Sequence, residues 1–216
     1  MELYTYFRSS AAYRVRIALN LKGLQADYRY VHLVKDGGQQ HRPEYLAVNP
    51  QGLVPTLVDD GHVLTQSLAI IEYLDETHPE PLFLPKDALG RARVRALAQV
   101  IACEIHPINN QRILKYLEND LDVGQEARDR WYRNWVAVGF TALEKLLRNP
   151  ATGKFCHGDE PTLADICLVP QVFNAKRFAV DLAPYPTLTR INAQCLKLPA
   201  FTAAAPETQG DVDVPA

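Results

Sequence analysis

The stretch His78-Pro79-Glu80-Pro81-Leu82-Phe83-Leu84-Pro85 constrains this chain most. Three prolines in eight residues break a helix and withhold donors from a strand ladder, so the segment reads as an interdomain linker. Strand and helix signals alternate before it, and helical spacing dominates after it. The expected organisation is an α/β domain at 1–79, a linker at 80–90 and an all-helical domain at 91–205. The end, 206–216, is small, polar and acidic, and is expected to be a mobile tail. A chain of 216 residues has enough length for a sizeable core in one or two domains.

Within the first part, Leu3 to Phe7 reads as a strand. Arg14 to Lys22 has helical spacing, with Val15, Ala18 and Leu19 on one row and Gly23 as its stop. Tyr28 to Leu33 is aromatic and β-branched, which predicts a second strand. This β-α-β order implies a parallel pair joined by a right-handed crossover. Val54 to Val58 and His62 to Thr65 flank an Asp60-Gly61 step, the signature of a hairpin. Ser67 is expected to cap a helix over Leu68 to Thr77, with Ile70, Ile71 and Leu74 turned inward.

Beyond the linker, Arg91 to Asn119 is amphipathic with a break or kink at Pro107. Gln125 to Arg148 is a second long run carrying Trp131, Trp135, Val138, Leu143 and Leu146. Thr162-Leu163-Ala164-Asp165 has the pattern of a capping box, and Pro186 to Leu198 predicts a last helix.

The formal net charge is −2, which gives no ground for a nucleic-acid partner. No apolar run reaches the length of a membrane span, and the first residues lack the pattern of a secretory signal, so a cytoplasmic protein is expected. The four cysteines form no CxxC pair and read as buried reduced thiols. The six histidines lack metal-ligand spacing, so no metal is expected.

Three short features suggest binding chemistry. Pro55 interrupts a strand, so either the strand lies at an edge or the proline is cis and turns the Val54 backbone outward as a ledge for an extended peptide. Gln66-Ser67 is either a plain helix cap or a carboxylate site made by a hydroxyl and the N-terminal amides. Ser9 and Ser10 lie at the handover from the first strand to the first helix. Together they suit a small acidic peptide held extended. Arg14 and Arg16 read as surface charges paired with nearby carboxylates.

Ser9-Ser10-x-x-Tyr13-Arg14-Val15-Arg16-Ile17-Ala18-Leu19 resembles the zeta-class signature of the cytosolic glutathione transferases, usually Ser-Ser-Cys-x-Trp-Arg-Val-Arg-Ile-Ala-Leu. Lys35 to Gln40, Asn49-Pro50 with Val54-Pro55, Gln66-Ser67 and His106-Pro107-Ile108-Asn109-Asn110 are similar to that class as well. The resemblance implies a thioredoxin-like domain followed by an all-α domain. It implies glutathione as cofactor, a homodimer, and a dicarboxylic diketo acid as substrate. The implied reaction is the cis–trans isomerisation of maleylacetoacetate by thiolate addition, bond rotation and elimination. Maleylpyruvate isomerisation, general glutathione transfer or dehalogenation, and a non-catalytic glutathione-binding module are the other readings. Ala11 stands where the family often has cysteine, so chemistry needing that thiol is not expected.

Residue roles carry over from the same resemblance. Ser9 would donate to the glutathione sulfur, with Ser10 beside it. Val54 would pair with the cysteinyl unit, Gln66 and Ser67 would take the γ-glutamyl carboxylate, and Gln40 would approach the glycyl end. His106, Asn110, Gln111 and Arg112 would come from the helical domain, though His106 reads equally well as a core histidine. Arg8, Arg112 and Arg177 would hold the carboxylates of the substrate, with Arg8 and Arg177 also assisting the chemistry.

Overall fold

The computed structural model describes residues 1–212. In chain order its elements are β1 (Glu2–Thr5), α1 (Ser10–Lys22), β2 (Asp27–Tyr30), α2 (Pro43–Val48), β3 (Thr56–Asp59), β4 (His62–Thr65) and α3 (Ser67–Thr77). The helices α4 (Ala88–Gln99), α5 (Gln111–Asn119), α6 (Gln125–Leu146), α7 (Leu163–Arg177), α8 (Pro186–Cys195) and α9 (Pro199–Thr202) follow. The described residues form two compact units: 1–82 together with 197–212, and 83–196.

The first unit is built on a four-stranded sheet in the order β2-β1-β3-β4. β1 and β2 run parallel, as a strand–helix–strand crossover requires, while β3 is antiparallel to both β1 and β4. Asp60 and Gly61 both have positive φ (46° and 78°) and close the β3–β4 hairpin as a two-residue turn. Pro55 does not interrupt the ladder, because β3 begins at Thr56; the Val54–Pro55 bond is cis.

α1 is covered along most of its length. Ala12, Val15, Ile17, Ala18 and Leu19 are all buried, and so are Ser10, Arg14 and Arg16, so the helix is enclosed around most of its circumference. It packs on α3, and Lys22 Nζ ties the two helices together through Asp75 at 2.7 Å. Arg14 and Arg16 are therefore not surface charges: they are 2% and 0% exposed.

The C-terminal residues correct two expectations. Residues 197–205, assigned by sequence to the helical domain, pack on α1. Phe201 O accepts from Tyr13 Oη at 3.1 Å, Ala204 O from Arg16 Nε at 3.1 Å, and Ala200 O from Asn20 Nδ2 at 3.0 Å. Residues 206–212, expected to be a mobile tail, continue along the same unit. Pro206–Thr208 forms a 3-10 turn, and Asp211 Oδ2 accepts from Phe7 N–H at 3.0 Å. The polar composition of the segment matches backbone hydrogen bonding here. The rest of the expected tail, 213–216, lies outside the described residues.

The second unit is helical. α4 starts at Ala88, earlier than expected, because Asp87 caps it by accepting from Gly90 N–H at 2.7 Å. The expected break near Pro107 is a π-helical turn over Val100–Ile105 and a 3-10 turn over Pro107–Asn109, before α5 begins. α7 opens on the capping box Thr162–Asp165. Asp165 is fully buried and takes the Cys156 and Thr162 amides at 2.8 and 2.9 Å. In α6, Val138 and Leu146 point outward, while Tyr132, Val136, Phe140 and Leu143 fill the core.

Candidate functional site

Ser9 is the N-cap of α1. Its φ and ψ (−69°, 116°) are extended, and its Oγ accepts from Ala12 N–H at 3.2 Å. A hydroxyl that accepts in this way keeps its own proton for a further acceptor. The turn before it is fixed by Ser9 N–H donating to Tyr6 O at 3.0 Å. Ser10 is buried in the first turn of α1. Arg8 is exposed and lies over its neighbours, donating from Nη2 to Tyr6 Oη at 2.9 Å with its guanidinium 5.0 Å from the Phe7 ring centre.

At the start of α3 the cap is Gln66, and Ser67 is the first helical residue, which corrects the expected cap by one position. Gln66 has φ 67° and ψ 115°, a conformation that a side chain disfavours and that is typically maintained where a site needs it. Its Nε2 donates to Gln51 Oε1 at 2.8 Å. Ser67 is buried, and its Oγ accepts from Arg14 Nη1 at 3.2 Å. A guanidinium thus stands behind the positive end of α3, and both features favour a bound carboxylate.

Val54 is buried beside β3. Gln40 is buried too; its Nε2 pairs with His41 Nε2 at 3.1 Å, and its Oε1 has no partner among the described residues. A buried acceptor in that state suits a ligand N–H. Ser9 thus offers a hydroxyl donor, the start of α3 offers backbone amides with a guanidinium behind them, and Gln40 offers a buried amide acceptor. A cavity of about 330 Å³ elsewhere in this unit, bordered by Tyr4, Tyr30, Arg42 and Tyr45, includes none of these residues.

In the helical unit, Asn110 caps α5 by accepting from Arg112 N–H at 3.1 Å, so Gln111 and Arg112 occupy its first turn. His106 follows the π-helical turn and is half-buried. Trp131 Nε1 donates to Ile108 O at 2.9 Å and holds this bend to α6. Arg177 ends α7, is exposed, and lies 4.9 Å from the Phe178 ring centre. Phe178 stacks on Tyr132 at 3.6 Å, and burial pushes the Tyr132 phenol up to about 12, with Arg177 acting the other way.

The first unit matches the family model described as glutathione S-transferase, N-terminal domain, over residues 3–82. A probable maleylacetoacetate isomerase of Vibrio cholerae is 54% identical over 209 residues, covering 97% of each chain. A maleylpyruvate isomerase of a Ralstonia species is 50% identical, covering 98% of this chain and 99% of its own. The chain is a zeta-class glutathione transferase. A solved maleylpyruvate isomerase of that class superposes on it with a TM-score of 0.95 at 50% identity, covering 98% and 99% of the two chains. A maleylacetoacetate isomerase from Methylobacterium extorquens AM1, solved with malonate and glutathione, also gives 0.95 at 42% identity, covering 99% and 100%.

Residues of this zeta-class chain that the sequence left out are Arg14, Arg16, Gln51 and Asp211. The sequence carried a partial signal for the two arginines: Tyr13, Val15, Ile17 and Ala18 flank them, and a helix enclosed by its neighbours buries both. Among the described residues, no group of three or more His, Cys, Asp or Glu is placed to hold a metal ion. Among the described residues, no helix is long and apolar enough to cross a membrane.

Proposed function

We propose that this chain is a glutathione-dependent maleylacetoacetate isomerase. The observation that carries the reading is Ser9 at the N-cap of α1, its acceptor side engaged by Ala12 N–H and its proton available to a sulfur. Bound glutathione supplies the thiolate that adds to the conjugated double bond and is expelled after rotation. Ser9 donates to that sulfur, and the positive end of α1 lowers the cost of its negative charge. Ser10 contributes to the same helix end. Gln66 and Ser67 hold the γ-glutamyl carboxylate, Val54 offers its backbone to the cysteinyl unit, and Gln40 Oε1 accepts from the glycyl end.

Arg8, Arg112 and Arg177 bind the carboxylates of the diketo acid, since guanidinium forks match carboxylates and stay charged. Arg8 and Arg177 also stabilise charge that develops on the substrate. His106, Asn110 and Gln111 are further ligand-contact residues in this reading. The reading includes a two-fold homodimer, as the family resemblance implies, working in the cytoplasm. The free state of all four cysteines fits a reducing compartment, although Cys103 is exposed and the other three are buried.

Assays of purified enzyme on maleylacetoacetate, maleylpyruvate and an apolar electrophile, each with glutathione, test this function. Faster turnover of maleylacetoacetate supports it. Preference for maleylpyruvate moves the enzyme to the shorter acid, and preference for the apolar electrophile contradicts the isomerase reading.

A further inference from the structure

The turn that carries Ser9 is held from behind by residues that no sulfur-activation argument requires. Arg16, fully buried in α1, donates from Nη1 to Thr5 Oγ1 at 3.0 Å and to Tyr6 O at 3.3 Å. It donates from Nη2 to Phe7 O at 3.0 Å and from Nε to Ala204 O at 3.1 Å. Tyr6 O also takes the Ser9 amide, so Arg16 and Ser9 share one acceptor. On the other side of the same peptide segment, Asp211 Oδ2 takes Phe7 N–H at 3.0 Å. Val212 then packs against the cluster that contains Tyr6 and Phe7.

We infer that Asp211 and Arg16 are positioning residues for thiol activation: the C-terminal segment clamps residues 6 and 7 and thereby fixes the aim of the Ser9 hydroxyl. The inference rests on the role proposed for Ser9. Arg16 is a buried cation whose hydrogen bonds to Thr5, Tyr6, Phe7 and Ala204 all go to neutral oxygens. Burial lowers its pKa to about 10, while Asp211 from the C-terminal segment, Tyr28 and Tyr30 from β2, and Tyr13 from α1 act the other way. Asp211 is the one carboxylate in that set, so it both fixes the turn and offsets the charge of the residue holding it. The segment is closely seated as well: a side chain at Gly210 would meet Tyr30 Oη at 2.7 Å.

Asp211→Ala, Asp211→Asn and Ser9→Ala in the full-length enzyme test this. The readouts are the ultraviolet titration of the bound glutathione thiol, the glutathione Kd by calorimetry, and the pH profile of turnover. Asp211→Ala is expected to raise the bound thiol pKa by about half a unit to one unit, with Kd changed less than about threefold. Turnover should fall about three- to tenfold at neutral pH and approach wild type at a pH above both thiol pKa values. Asp211→Asn keeps an acceptor for Phe7 N–H and should recover part of the shift. An unchanged thiol pKa in Asp211→Ala, with Ser9→Ala raising it, overturns the clamp and leaves Ser9 in place. An unchanged thiol pKa in Ser9→Ala overturns the Ser9 role and the clamp with it.

Discussion

Arg14 Nη1 donates to Ser67 Oγ at 3.2 Å, linking the centre of the first unit to the first residue of α3. Both side chains are buried, so the contact acts in a low dielectric. It sets the direction of the Ser67 hydroxyl and places positive charge behind a helix end proposed to receive a carboxylate.

Arg14→Met keeps the bulk of the side chain and removes that charge. The KM for glutathione is expected to rise about tenfold, while kcat changes less than about threefold, because the lost contact acts on binding. Initial rates over a glutathione series measure both.

Ser9→Ala removes two interactions at once. Loss of a hydrogen bond to a charged sulfur should lower turnover about 10- to 100-fold. Loss of the cap on Ala12 N–H should lower stability by about 1 kcal/mol. Kinetics and urea unfolding of the same preparation separate the two effects.

The main architecture was legible because its signals are local. The Asp60-Gly61 hairpin, the Thr162–Asp165 capping box and the proline-rich divide each depend on a few adjacent residues. The start of α1 was not legible, since Ser10-Ala11-Ala12 carries no apolar periodicity and the helix begins there on the Ser9 cap. The left-handed backbone at Gln66 was hidden for another reason: nothing in a glutamine announces positive φ, and the surroundings impose it. Asp211 was out of reach because its partner, Phe7, is 204 residues away.

Tyr132 makes stability depend on alkaline pH. Its folded pKa of about 12 lies above the ordinary 10.0 because burial disfavours the phenolate. A raised folded value means that the contribution is fully present below about pH 10 and is lost as pH rises towards 12. Tyr132→Phe should therefore lose less stability than wild type between pH 9 and 11.5, by about 1–2 kcal/mol. Urea unfolding at both pH values tests it.

Arg177→Met should raise the KM for the diketo acid about 10- to 100-fold by removing a carboxylate partner, with glutathione affinity unchanged within about twofold. Steady-state kinetics with each substrate varied in turn reads the difference.

The central claim is that glutathione is regenerated in every cycle. The direct measurement is the free thiol remaining after the enzyme has converted maleylacetoacetate in roughly hundredfold excess over glutathione. The account predicts complete conversion to the trans isomer with the thiol undiminished. One thiol lost for each substrate consumed would contradict it and make the reaction a transfer.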